Sequence, residues 1–110
     1  MTLYQVKGAV HGFAIEWYRV DGRCIELLGR TGVWQPARLD LDDIGTMVRD
    51  GRLQRVDWRY YLDGFTGWRY RVAGPFVQMF LQGQWRTTGA VKSLEIPELV
   101  QGGVLSEYSA

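Results

Sequence analysis

The chain of 110 residues contains one cysteine, one histidine, three prolines and no asparagine. A single cysteine, Cys24, can close no disulfide within the chain and cannot build a cysteine-based zinc site. With only His11 beside it, composition disfavours a transition-metal centre of ordinary nitrogen and sulfur ligands, and no cofactor is expected. No apolar run approaches the ~20 residues that cross a bilayer as a helix, so no membrane partner is expected. An excess of charge of one sign is also missing: 13 basic and 12 acidic residues leave a net charge of +1. Global charge therefore selects no partner. The opening residues, Met1-Thr-Leu-Tyr-Gln-Val-Lys7, lack the basic-then-apolar layout of a secretory leader, and a cytoplasmic location is expected. At 46% apolar and 23% charged, the chain is too apolar for a disordered segment and is read as a single domain, 1–110.

Aromatic residues are abundant: five Trp, six Tyr and four Phe. Charge is unevenly spread. Residues 49–92 carry eight basic and three acidic side chains, and residues 93–110 carry three glutamates with nothing basic. A basic stretch can mark a nucleic-acid face. A heavy bias to arginine over lysine is, however, also what a GC-rich genome produces through its codons.

The dominant local signal is strand-like. Leu3–Val10 alternates, with Leu3 and Gln5 on one face and Tyr4 and Val6 on the other, and Phe13–Val20 follows a turn at His11-Gly12. Asp21-Gly22 and Asp63-Gly64 each separate β-formers and predict two-residue hairpin turns. Ala73-Gly-Pro75 predicts a third turn. Pro36 confines Val33–Arg38 to a sheet edge, because proline has no N–H to give a ladder. One helix is expected where Leu41, Ile44, Met47 and Val48 form an apolar stripe. Asp40 or Asp42 is placed to cap it and Gly51 to end it. Pro97 suits the first turn of a second, shorter helix. Ser106–Ala110 is read as a frayed tail.

Sliding the chain against itself by 52 positions aligns residues 10–28 with 62–80, with six identities. Tyr18-Arg-Val-Asp-Gly22 meets Tyr70-Arg-Val-Ala-Gly74. With small shifts, Gly32-Val-Trp34 answers Gly83-Gln-Trp85, and Leu39–Ile44 answers Leu94–Leu99; the offset is restored where Val48, Gly51 and Leu53 meet Val100, Gly103 and Leu105. Two copies, 1–52 and 53–105, are expected to share one interior about a pseudo-two-fold axis. The fold class is α+β: mostly antiparallel strands, as a sheet or open barrel, with two short helices.

Candidate site residues concentrate in the second copy: Trp58, Arg59, Tyr61, Trp68, Arg69, Arg71 and Arg86. With a two-residue turn at Asp63-Gly64, Trp58 faces Arg69 and Arg59 faces Trp68, so cation–π pairs could be purely structural. A bulge at Gly67 would change that register. The copies diverge at Glu16/Trp68, Trp17/Arg69 and Glu26/Gln78, which favours a specialised surface on the later copy.

Trp, Tyr and Arg dominate protein interfaces, so a non-enzymatic protein-binding module, including self-association, is the leading expectation. A nucleic-acid surface over residues 52–92 is the alternative, with arginines on phosphates and aromatics stacking on bases. A small-molecule pocket lined by Trp17, Trp34, Trp68 and Trp85 is the third. His11 reads as a turn residue rather than a base, and Cys24 as a small buried hydrophobe rather than a nucleophile. Asp40, Asp42 and Asp43 read as helix-capping groups rather than metal ligands.

Overall fold

The computed structural model describes residues 1–8 and 15–110. His11, the turn expected there and the beginning of the Phe13–Val20 strand lie outside the described residues. The rest forms two compact units, Met1–Asp57 and Trp58–Ala110. The division falls at 57/58, not at the 52/53 boundary read from the offset, because the last strand of each unit pairs back onto its own first strand.

The first unit contains β1 (Thr2–Val6), β2 (Trp17–Asp21), β3 (Cys24–Leu28), β4 (Gln35–Pro36), helix α1 (Leu41–Arg49) and β5 (Leu53–Val56). Its strands form an antiparallel sheet in the order β4-β3-β2-β1-β5. The second unit contains β6 (Arg59–Asp63), β7 (Arg69–Ala73), β8 (Phe76–Leu81), β9 (Gln84–Thr87), a 3-10 turn (Ser93–Glu95), helix α2 (Ile96–Gln101) and β10 (Leu105–Tyr108). Its sheet runs β9-β8-β7-β6-β10. Counted within each unit, the strand order is the same. Both sheets are open, so the class is α+β without a closed barrel, and their likeness is consistent with internal duplication.

The 52-residue offset runs further through the structure than through the letters. β2 and β7 share it, as do β5 and β10, and the 3-10 turn plus α2 (93–101) stand where α1 (41–49) stands. Buried Ile44 therefore matches buried Ile96, not Leu99 as the sequence alignment had it. A bond from the Arg52 amide to the Met47 carbonyl recurs from Val104 to Leu99, and Gly51 to Val48 recurs as Gly103 to Val100. Each unit has its own apolar cluster beneath its own helix. Tyr18, Ile25, Ile44 and Leu53 form the first; Tyr61, Tyr70, Val77, Met79, Ile96 and Leu105 form the second.

Local chemistry accounts for the elements. Asp40 caps α1 through a reciprocal box, its carboxylate accepting from the Asp43 amide at 2.8 Å while the Asp43 carboxylate accepts from the Asp40 amide at 3.0 Å. Of the expected helix stripe, Ile44 and Met47 pack inward, while Leu41 and Val48 are exposed. Pro36 lies on an edge strand as its missing donor requires. Asp21 pairs directly with Cys24 and Ala73 with Phe76, leaving two-residue loops at Gly22-Arg23 and Gly74-Pro75. In each the first loop residue is a glycine with positive φ, +60° and +55°, the type II′ arrangement.

Four expectations are corrected. The first hairpin turns at Gly22-Arg23 rather than Asp21-Gly22, because Asp21 stays in β2 and pairs with Cys24. The hairpin at Asp63-Gly64 is not a two-residue turn: the Asp63 amide donates to the Trp68 carbonyl, and the loop is Gly64–Gly67. The Asp63 carboxylate holds the Phe65 and Thr66 amides at 2.8 and 3.1 Å, and Gly67 takes a φ of +75°. The C-terminal segment is not frayed, because Leu105–Tyr108 pairs with β6. Cys24 is exposed, because the β3 alternation turns Ile25 and Leu27 inward and Cys24 and Glu26 to the other face.

Candidate binding face of the second unit

Pleating decides which candidate residues can act together, since residues paired across antiparallel strands share a face. Observed pairs are Arg59 with Val72, Tyr60 with Arg71, Tyr61 with Tyr70 and Leu62 with Arg69. The expected pairings of Trp58 with Arg69 and of Arg59 with Trp68 are not formed, because the longer loop shifts the register. Tyr61 faces the helix and is 6% exposed, so it belongs to the core and is closed to a partner. Arg59 and Arg86 lie on that same helix-side face, paired with Val72 and Met79. Arg59 is engaged by Glu107 at 3.4 Å and Arg86 by Gln84 at 3.5 Å. Arg69 and Arg71 stand on the opposite face.

That opposite face carries a continuous row across all five strands: Tyr108, Tyr60, Arg71, Gln78 and Thr87. Arg71 is its centre. Its guanidinium carbon lies 4.3 Å from the Trp58 ring centre and 4.9 Å from that of Trp85. The Arg71 Nε donates to Gln78 Oε1 at 2.7 Å, and Tyr60 is its neighbour across the β6–β7 pair. Trp85 meets Tyr60 edge-on at 5.7 Å and Phe80 at 5.2 Å, and Tyr60 meets Tyr108 at 5.9 Å. Arg69 lies 5.8 Å over the Tyr108 ring. Burial pulls the Arg71 guanidinium below its ordinary value, and the Tyr60 contact opposes this. An arginine stays charged in either case.

In the first unit the equivalent row reads Val56, Leu3, Arg19, Glu26 and Pro36. Arg19 Nε donates to Glu26 Oε1 at 2.9 Å, and Arg19 lies 4.4 Å over Trp34. The framework of arginine, cross-strand acceptor and tryptophan is thus common to both units. The second unit differs by placing tyrosines where the first has Leu3 and Val56, and a neutral amide where the first has a carboxylate.

Trp68 and the hairpin loop form the other exposed feature. Phe65 at the tip is 82% exposed, Trp68 47% and Leu62 38%. The loop carrying them is tied by Asp63 and by the Trp68 amide donating to Thr66 Oγ1 at 3.1 Å. Hydrogen bonds from the Phe65 and Thr66 amides hold the Asp63 carboxyl below its usual range. A cleft of ≈ 510 Å³ beside the hairpin base is lined by Leu62, Arg69, Tyr108, Ser109 and Ala110.

The tryptophans expected to line a pocket are divided between the two units. Trp17 is buried and Trp34 sits by Arg19 in the first unit; Trp68 and Trp85 belong to the second. Among the described residues no group of His, Cys, Asp and Glu is arranged to hold a metal ion, and no helix is long and apolar enough to cross a membrane. Burial raises the phenols of Tyr18 and Tyr70, which occupy equivalent positions in the two units.

Sequence reasoning passed over Tyr60, Gln78 and Tyr108 as site residues. The signal for Gln78 was present, since Arg19/Arg71, Glu26/Gln78 and Trp34/Trp85 all emerge from the repeat alignment. They were three unrelated matches until cross-strand register joined them. No protein-family model, curated protein or solved structure matches this chain.

Proposed function

We propose that the chain is a non-enzymatic protein-binding module whose contact region is the β6–β7 hairpin of the second unit. One observation carries the reading: Phe65, an apolar side chain with 82% of its surface in water, sits at the tip of a loop fixed by side-chain-to-backbone bonds. Loop tips are ordinarily polar, and ordering this one gains the free chain no burial of Phe65. Ordering before contact lowers the entropic cost of binding, as a preorganised anchor requires. Leu62 and Trp68 extend the apolar surface, and Arg69 supplies a charged rim. Trp and Arg are enriched at interface hot spots, and Phe at interfaces generally.

The nucleic-acid reading is less favoured because its charge argument weakens once the units are known. Counted over 1–57 there are eight basic and eight acidic residues; over 58–110 there are five and four. The basic stretch 49–92 straddles two nearly neutral units. Arg52, Arg55 and Arg59 are also matched by Asp50, Asp57 and Glu107.

Light scattering over a dilution series tests self-association, and cross-linking capture tests other partners, each with wild type and a Phe65→Ser/Trp68→Ser variant. The reading expects an association that the variant loses while its circular dichroism is unchanged. A wild type that stays monomeric and captures the same set of proteins as the variant refutes it.

A further inference from the structure

We propose that Arg71, with Trp58, Tyr60 and Trp85 around it, is a binding site for a single carboxylate group. The inference stands on the comparison of two equivalent arginines in one chain. In the first unit, Arg19 is neutralised by Glu26 directly across the strand pair, Nε to Oε1 at 2.9 Å. In the second unit the same atoms meet at 2.7 Å, but the acceptor is the amide of Gln78. The geometry of the pair is kept and its charge is not.

The consequences follow from donor counting. A guanidinium carries five N–H donors and no acceptor. Gln78 takes the Nε–H of Arg71. Among the described residues no carboxylate forms an ion pair with Arg71. The remaining donors lie on the Nη groups, whose fork matches the two oxygens of a carboxylate. Two indoles and a phenol ring border this group, so it is partly desolvated, and a charge removed from water without a counter-ion is costly unless an anion completes it. Low local polarity also strengthens the attraction to an arriving anion.

A planar carboxylate is favoured over a tetrahedral phosphate, because a glutamate carboxylate already partners the equivalent arginine in the first unit. The carboxylate can come from a free organic acid or from a glutamate or aspartate of a peptide. Neither source requires the Phe65 hairpin to bind a protein, so this proposal stands or falls separately from the one above.

The test is a titration of the full-length, ¹⁵N-labelled chain, following the Arg71 Nε–H and the Trp58 and Trp85 indole N–H signals. Benzoate represents a free acid, N-acetyl-glutamate amide a peptide side chain, and inorganic phosphate the competing anion class. Saturable shifts with benzoate but not the glutamate derivative assign the site to free acids; shifts with the glutamate derivative assign it to acidic side chains. In Gln78→Glu, which rebuilds the Arg19–Glu26 pair in the second unit, affinity should fall by about tenfold or more with the backbone amide spectrum retained. Glu26→Gln should create a second set of saturable shifts at Arg19 and Trp34. Arg71→Lys, which keeps the charge but removes the fork, should weaken binding as well. The proposal is overturned by non-saturable shifts with both carboxylates, by phosphate binding more tightly than either, or by equal affinity in wild type and Gln78→Glu.

Discussion

Truncating Leu105 to alanine is the sharpest test of how the second unit is held together. Leu105 is 2% exposed and packs with Tyr61, Tyr70, Val77, Met79 and Ile96, although it lies only five residues before the last one. Leu→Ala removes three carbon groups, each worth about 0.8 kcal/mol of transfer free energy, or roughly 2.4 kcal/mol in all. The cavity left among those side chains adds to this, bringing the expected loss to about 3–4 kcal/mol. For a chain of this size that corresponds to a fall in Tm of the order of 10–20 °C. Urea denaturation followed by circular dichroism gives the free energy directly, provided the slope with denaturant is unchanged. Two controls sharpen it. Leu53→Ala, at the equivalent position of the first unit and equally buried, should cost a similar amount. Tyr108→Ala, on the other face of β10, should cost only about 0.5–1.5 kcal/mol through its lost ring contact with Tyr60. A Leu105→Ala protein within about 0.5 kcal/mol of wild type, the range of ordinary surface substitutions, would refute the packing of β10.

Other outcomes follow from the titratable groups and the helix cap. Tyr18 and Tyr70 have folded-state values raised above 10.0 by burial. Stability they protect is therefore complete below pH 10 and is lost as pH climbs through their folded values; tyrosinate absorbance in folded protein should lag behind that of unfolded protein. Asp63 is shifted the other way, so the Phe65 and Thr66 amide resonances should titrate with a midpoint below the ordinary 3.8, and the loop should loosen as pH falls through it. A midpoint at or above 3.8 would show that those amides do not lean on the carboxylate. Asp40→Ala should cost about 1 kcal/mol in urea denaturation by removing the α1 capping box.

Much of this architecture was legible in the letters, and the misses have physical causes. Pro36 at an edge, the acidic cap of α1 and the positions of three chain reversals could be read because each rests on chemistry within a few residues, and the offset of 52 because the copies still share letters in the same order. Register could not. Asp63-Gly64 looks like a tight turn, but the Asp63 carboxylate reaches two amides and Gly67 supplies the left-handed residue, so the loop grows to four. That displacement breaks the expected Trp58–Arg69 and Arg59–Trp68 pairs, but an even shift keeps each side chain on its face. Tyr61 is in the core, and Arg59 and Arg86 are parted from Arg71, because of which face packs under the helix. Ser106–Ala110 looked like a tail because a four-residue strand at a chain end carries little signal, yet extending the Leu53/Leu105 match to Val56/Tyr108 at the same offset was available evidence. The aromatic face was only half legible: Trp58, Trp85 and Arg71 stood out as residue types, while Tyr60 and Gln78 join them only through cross-strand pairing.

Two units of the same strand order in one chain allow structural and functional residues to be compared within the molecule. Both units need their sheets closed under a helix, and there they agree: Tyr18 with Tyr70, Ile25 with Val77, Ile44 with Ile96 and Leu53 with Leu105 are all buried. The arginine with its cross-strand acceptor and tryptophan also recurs, so that framework by itself argues for structure. What a common scaffold does not require is the replacement of Leu3 and Val56 by tyrosines, or of Glu26 by an amide that leaves a guanidinium unneutralised. Both changes occur in one row, around one charge. Leu3 is itself buried, so the comparison rests on Val56 against Tyr108 and Glu26 against Gln78; selection for an acidic group arriving from outside would change such neighbours and leave the arginine in place.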